Sequence, residues 1–208
     1  MEDNTFSKNI SESQFWNEYY INNDTGWDLG GVTPVFKNWC DNLNKKSKIL
    51  VPGSGNGYDP LYFSSLGHDV LAVDFSEKAI KRIKNEAKKN NLRINVLKGN
   101  FFDLDKTFYN LYDYVIEYTF FCAIDPKNRL NYISMVHQIL KESGQLIGLF
   151  FPLNKKESEG GPPFGVSLKE IEYNFNKKFK LIKSFKHPLS IDARSDNEQY
   201  FEFEKIIV

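Results

Sequence analysis

The sequence predicts an α/β protein: a Rossmann-like, doubly wound, mostly parallel seven-stranded sheet with helices on both faces and an N-terminal helical lid. Three observations predict it. Short continuous apolar runs recur, such as Ile49–Val51, Val70–Val73 and Tyr114–Ile116, and strands of that kind are covered on both faces. Segments of helical period lie between them. A glycine turn, Pro52-Gly53-Ser54-Gly55-Asn56-Gly57, directly follows the first run.

Taken in order, Phe15, Trp16, Tyr19 and Tyr20 recur at helical spacing, with Ser11 and Gln14 placed as a capping box. A turn-rich piece around Asn22–Gly26 leads to Trp27. Pro34 opens a second helix with Val35, Phe36 and Trp39 on one face. The Ile49–Val51 strand and glycine turn precede a helix over 60–66. Val70–Val73 ends at Asp74, and Ser76 caps a helix with Ala79, Ile80, Ile83 and Ala87 inward. Residues 94–97 and 114–116 read as the third and fourth strands. Asp125-Pro126 starts a helix carrying Leu130, Ile133, Val136 and Leu140, which Gly144 ends. Residues 145–151 form the fifth strand, 152–166 a loop, Ser167 caps one more helix, and strands cover about 179–186 and 199–208. The expectation is a single domain over 1–208, with 1–45 as lid and 46–208 as core.

The 208 residues hold 27 basic and 27 acidic side chains, and only four of the bases are Arg. That balance argues against nucleic acid as a partner. The longest apolar run, Leu146–Leu153, is too short for the ~20 residues of a membrane span. The N-terminus, Met1–Asn4, carries no apolar signal region. Two cysteines, Cys40 and Cys122, in no metal or redox spacing suggest a reducing cytoplasm and no metal. The chain is expected to act as a monomer or homodimer on a small-molecule substrate.

Ligands of such sheets sit at the carboxyl ends of the strands. The candidates there are Gly53–Gly57, Asp74, Asn100–Asp103, Glu117–Cys122 and Phe151. The glycines let backbone approach a ligand, and an acid nineteen residues after Gly55, Asp74, can accept bonds from a ribose diol. This fits a dinucleotide or S-adenosylmethionine. The dinucleotide pattern wants glycine where Tyr58 stands, and no Arg is spare for a pyrophosphate, so the spacing leans to the adenosyl sulfonium.

The chain here resembles the thiopurine S-methyltransferase family, more closely its halide/thiol (thiocyanate) branch within the class I S-adenosylmethionine-dependent methyltransferases. The resemblance rests on residues 51–59, Gly67–Val70, Val73–Ile80, Gly99–Phe102, Tyr118–Ile124 with Pro126 and Arg129, and Gly160–Pro163. It implies S-adenosylmethionine as donor, S-adenosylhomocysteine as product, and a small thiol or anion (bisulfide, methanethiol, a halide, thiocyanate) as acceptor. Carried over by position, Trp16, Tyr20 and Trp27 would close over the cofactor. Gly53 would meet its amino-acid end, Asp74 its ribose, and Asn100 and Phe101 its adenine, with Gly55 and Phe75 also in the cofactor-binding set. Tyr118 would contact it near the acceptor. Ser54, Asn100, Glu117 and Phe151 depart from the family's usual residues, and Phe151 favours a thiol over a halide.

Transfer between a sulfonium and an anion is an in-line displacement that needs alignment and a dry pocket. Trp27, Tyr118, Phe120, Phe121, Phe151 and Arg194 are the candidate acceptor-pocket residues; none is assigned a catalytic role. Arg194 could face the acceptor or pair with Glu198. Asp59 reads as a helix cap, Cys122 as a packed residue, His68 as solvated, His137 as structural and the Lys pairs as surface. The Gly160–Pro163 tip reads as a lid partnering Trp16–Trp27. Rival readings are a methyltransferase of thiopurines, aromatic thiols or selenium and tellurium oxyanions, and a non-catalytic S-adenosylmethionine-binding protein.

Overall fold

The structure, a computed structural model, describes residues 9–207; Met1–Asn4 and the expected strand end at Val208 lie outside them. Seven strands form one sheet: β1 (Lys48–Pro52), β2 (Asp69–Asp74), β3 (Asn95–Lys98), β4 (Tyr112–Tyr118), β5 (Leu140–Phe150), β6 (Phe179–Phe185) and β7 (Gln199–Lys205). Their order is β3-β2-β1-β4-β5-β7-β6. The first five are parallel, and β7 runs antiparallel to both β5 and β6. The order reverses at β1, so the carboxyl ends of β1 and β4 flank the switch point where such sheets bind ligands.

Alternation along the strands sorts the core onto two faces. Ile49, Val51, Ile116, Ile147 and Leu149 pack against α2 (Pro34–Asp41) and α3 (Tyr58–Ser65). Leu50, Val115, Leu146 and Phe150 point the other way, to α5 (Arg129–Ile139) and α6 (Leu168–Phe175). The expected apolar face of α4 (Glu77–Lys89) is buried, and Ser76 caps it by accepting from Ala79 N. Ser167 caps α6 through Glu170 N.

Three local expectations fail. Helix α1 (Ser13–Asn22) starts after Glu12 with no side-chain cap; Ser11 N donates to Asn9 Oδ1 instead, so the Ser11–Gln14 box is absent. The chain after Asp125 begins as a 3-10 turn, Pro126–Asn128, and Leu130, expected inward, is 55% exposed. Gly144 does not end that helix. It stops at Ile139 because Leu140 pairs with Tyr112, and after a bulge through Ser143 (φ +58°) β5 resumes pairing with β4 at Gln145.

Candidate active site

At the end of β1 the chain turns sharply, and Ser54 N donates to Val73 O, tying the turn to β2. Gly53 takes φ +55°, and a Cβ there would stand 2.3 Å from Phe120 Cδ2. Only glycine combines that conformation with that approach. Asp74 closes the turn from the end of β2: one carboxylate oxygen accepts from Gly55 N and the other from Ser76 N, both at 2.8 Å. Burial pushes its carboxyl up to about 6 against these bonds.

Beyond β4, Glu117 organises the next wall. It is 1% exposed. Its Oε1 accepts from Phe120 N (3.0 Å) and Phe121 N (2.8 Å), and its Oε2 accepts from the Tyr132 hydroxyl at 2.5 Å. Burial pushes this carboxyl up to about 7. The turn it holds, with Thr119 at φ +59°, sends consecutive phenylalanines apart. Phe120 faces the cavity beside Phe101 and Phe102. Phe121 enters the core between Tyr132, Phe150 and Phe175.

The N-terminal segment forms an aromatic cover. Trp16, Tyr19 and Tyr20 surround Trp27 at centroid distances of 5.5, 5.6 and 5.8 Å. The cover is anchored by Ser76 Oγ donating to Asn17 Oδ1 and by Asn56 donating to Asp28. From the segment before β7, Arg194 lies between the Tyr118 and Phe151 rings, 5.0 and 4.8 Å from their centroids. Its Nη2 donates to Trp27 O at 2.9 Å, and its buried Nη1 has no partner. It does not pair with Glu198, whose Oε2 instead accepts from the Tyr118 hydroxyl at 3.2 Å.

These walls enclose a cavity of about 700 Å³. Trp16, Tyr20 and Trp27 line it from the cover, Gly53, Asp74 and Phe75 from the first two strand ends, and Asn100 and Phe101 from beyond β3. Phe120, Phe151 and Arg194 complete the predicted set, with Pro162 and Pro163 of the expected lid. Gly55 and Tyr118 line an adjoining recess of about 80 Å³ that shares Trp27, Gly53 and Thr119 with the cavity. Phe121 lines neither. The Asn100 side-chain carbonyl accepts from Phe102 N at 3.2 Å.

Asp59 does not cap its helix; it lines the adjoining recess. It accepts from Thr33 N and Thr33 Oγ1 and so pins α2 to α3. His68 is buried, not solvated, and accepts from Ser47 N. His137 is structural, against Ile206 O. Cys122 lines the cavity, but burial pushes its thiol up to about 12 and it donates to Thr119 O, so it stays a protonated wall residue. Sequence reasoning missed Tyr19, Asn128 and Asn131 as lining residues. The i,i+3 spacing of the two asparagines was the available signal.

A buried carboxylate, a close-approach glycine and aromatic walls fit an adenosyl sulfonium, since ring faces favour a cation. Arg194 is the one cation among the described lining residues of cavity and recess, which suits no pyrophosphate. Among the described residues no group of three His, Cys, Asp or Glu could hold a metal ion, and no helix is long and apolar enough to cross a membrane.

The buried carboxylates give a signed pH dependence. Asp59, Asp74 and Glu117 have folded pKa values of about 6, 6 and 7, above the ~4 of an unfolded chain. The folded protein therefore binds more protons in this window, and stability falls as pH rises through it. Up to about pH 7.5 the three histidines, lowered by burial, oppose the trend, because the unfolded chain's imidazoles still hold protons there. The share of Glu117 is isolated by Glu117→Gln: between pH 6.5 and pH 8 the wild-type protein without ligand is expected to lose about 1 kcal/mol, or ~2–4 °C in Tm, more than the variant. Thermal unfolding of both proteins in both buffers at one ionic strength checks this; an equal pH dependence contradicts it.

A family model described as thiopurine S-methyltransferase matches residues 11–204. A probable thiol methyltransferase 2 of Arabidopsis thaliana is 31% identical over 194 residues, 91% of this chain and 84% of that protein. Thiocyanate methyltransferase 1 of the same plant is 29% identical over 207 residues, 97% of this chain and 89% of that one. Among solved structures, a Burkholderia thailandensis 1,6-didemethyltoxoflavin-N1-methyltransferase, with its substrate and S-adenosylhomocysteine bound, superposes with a TM-score of 0.76. It covers 94% of this chain and 87% of that chain at 17% identity. A TehB-like S-adenosylmethionine-dependent methyltransferase of Corynebacterium glutamicum gives 0.67, over 95% and 100%, at 18% identity.

Proposed function

The chain belongs to the thiopurine S-methyltransferase family, and from that premise we propose that it methylates a small thiol or inorganic anion: bisulfide, methanethiol, thiocyanate or a halide. It is an S-adenosylmethionine-dependent methyltransferase. When bound, S-adenosylmethionine supplies a methyl group on a positively charged sulfur.

The protein's own part is placement. Asp74 is the residue to accept from a ribose diol, Gly53 and Gly55 to let the backbone approach, and Trp16, Tyr20 and Trp27 to cover the cavity and exclude water. The observation that carries the acceptor reading is Arg194: 7% exposed, sandwiched between Tyr118 and Phe151, with Nη1 unpaired. A desolvated cation at the wall of an aromatic cavity draws an anion and lowers the pKa of a thiol beside it. Opposite charges then cancel as the methyl moves, which a dry pocket favours. The unpaired cysteines Cys40 and Cys122 support a cytoplasmic setting.

The test is product formation from bisulfide, methanethiol, iodide and a thiopurine, read by gas and liquid chromatography. We expect bisulfide or methanethiol to be used best, and Arg194→Met to lower kcat/KM for it by about 10–100-fold, the ~1.5–3 kcal/mol of a charged hydrogen bond. Preference for the thiopurine would make the acceptor a large aromatic thiol. No product from any of the four, with S-adenosylmethionine shown to bind, would sink the small-acceptor reading.

A further inference from the structure

Behind Tyr118 lies a group that the methyl transfer to an anion does not use. Glu198 is 1% exposed at the sheet end of the segment carrying Arg194. Its Oε2 accepts a hydrogen bond from the Tyr118 hydroxyl at 3.2 Å, and its buried Oε1 has no partner but the nearby Ser190 side chain. The groups that face it are the Ser190 side chain, Tyr118 from β4 and Arg194. We propose that Tyr118 and Glu198 carry the proton away from thiols that reach the cavity in their neutral form. This rests on the thiol reading of the acceptor given above.

The need is chemical. A simple thiol has a pKa of ~8.5, so only a few per cent is thiolate at neutral pH. Neither His nor Lys is among the described lining residues of the cavity or its recess. Of the carboxylates lining cavity and recess, Asp74 is held by Gly55 and Ser76, Asp125 by Lys127 N, Asp28 by Gly30 N and Asn56, and Asp59 by Thr33, while Asp24 lines the cavity from the N-terminal cover. Glu198 is a carboxylate with a spare oxygen, joined to the recess through one hydroxyl. Arg194, stacked on that same Tyr118 ring, marks where an acceptor sulfur is drawn.

The proton balance is simple. The thiol proton passes to the Tyr118 oxygen as the Tyr118 proton passes to Glu198 Oε2. The freed sulfur lone pair forms the bond to the methyl carbon. That carbon's bond to the donor sulfur breaks, and its electron pair stays on the donor sulfur and cancels its charge. Glu198 afterwards loses the proton to solvent. Burial raises the Glu198 pKa while Ser190, Tyr118 and Arg194 pull it down, which suits an acceptor that must take a proton and then release it.

The test compares Glu198→Gln and Tyr118→Phe with the wild-type enzyme on an alkyl thiol, 2-mercaptoethanol, and on iodide, which carries no proton. Both variants are expected to lose at least tenfold more kcat/KM on the thiol than on iodide at pH 6.5. The thiol deficit should shrink toward pH 9.5, where the thiol ionises unaided. Calorimetric affinity of Glu198→Gln for S-adenosylhomocysteine should stay within about threefold. Equal loss on both acceptors, or a thiol deficit independent of pH, overturns the relay and leaves the acceptor reading intact. A wild-type enzyme that methylates no thiol overturns both.

Discussion

Replacing Asp74 with alanine is expected to weaken S-adenosylhomocysteine binding by about 10–100-fold and to destabilise the ligand-free protein. The carboxylate is the shared partner of Gly55 N and Ser76 N. Its removal leaves two buried donors unpaired, at ~1–3 kcal/mol each. It also removes the proposed acceptor for the ribose, a charged bond of ~1.5–3 kcal/mol, where each ~1.4 kcal/mol is a tenfold change in affinity. Asp74→Asn keeps one acceptor oxygen and should fall between. Calorimetry and thermal unfolding read the two effects separately. Affinity unchanged within threefold in the alanine variant would mean the ribose lies elsewhere.

The largest stability loss is expected from Arg129→Met. Arg129 is 2% exposed. Its Nη1 meets Glu170 at 2.8 Å and Glu157 at 3.6 Å, its Nη2 donates to Gly165 O at 3.0 Å, and its guanidinium lies 5.0 Å from the Phe121 ring centroid. Glu157 is 59% exposed at the side chain, so that pair contributes little. Glu170 and the Gly165 carbonyl are the partners that matter, and breaking such a buried set costs about 3–5 kcal/mol. In a chain of this size that is ~10 °C in Tm or more. Because Glu157 and Gly165 bracket Pro162 and Pro163 on the cavity wall, KM for the acceptor should rise while cofactor affinity stays within threefold. A Tm shift under ~2 °C would show that the ion pairs are not what holds this loop.

The sheet was legible because its strands announce themselves locally: an apolar run ending in glycine or acid needs no distant information. The same holds for Asp74, whose spacing from the glycine turn is set by one βαβ unit. What stayed hidden depends on partners far away in sequence. Phe120 and Phe121 are indistinguishable as neighbours in a turn, where neither helical nor strand period applies; Glu117 decides between them through backbone bonds that composition does not display. Asp59 looks like a cap until Thr33, 26 positions earlier, takes both its oxygens. His68 looks like a loop residue until Ser47 buries it. Arg194 could not be placed between acceptor and Glu198 because Tyr118, the group that separates them, comes from another strand. The helix after Asp125 was misjudged at both ends because pairing to β4, a tertiary event, overrode helical continuity.

The antiparallel course of β7 has a practical corollary for handling the enzyme. It brings Arg194 and Glu198, just ahead of the strand, to the carboxyl edge where the cavity lies. It then carries the chain to the opposite edge, where Lys205 pairs with Phe179 at the start of β6 and reaches Leu140 O. Ile10 and Ser11, by contrast, line the cavity itself. Affinity handles, surface tethers and fluorescent fusions therefore belong after the last residue. Ahead of Ile10 and Ser11 they would lie close in sequence to residues that wall the cavity.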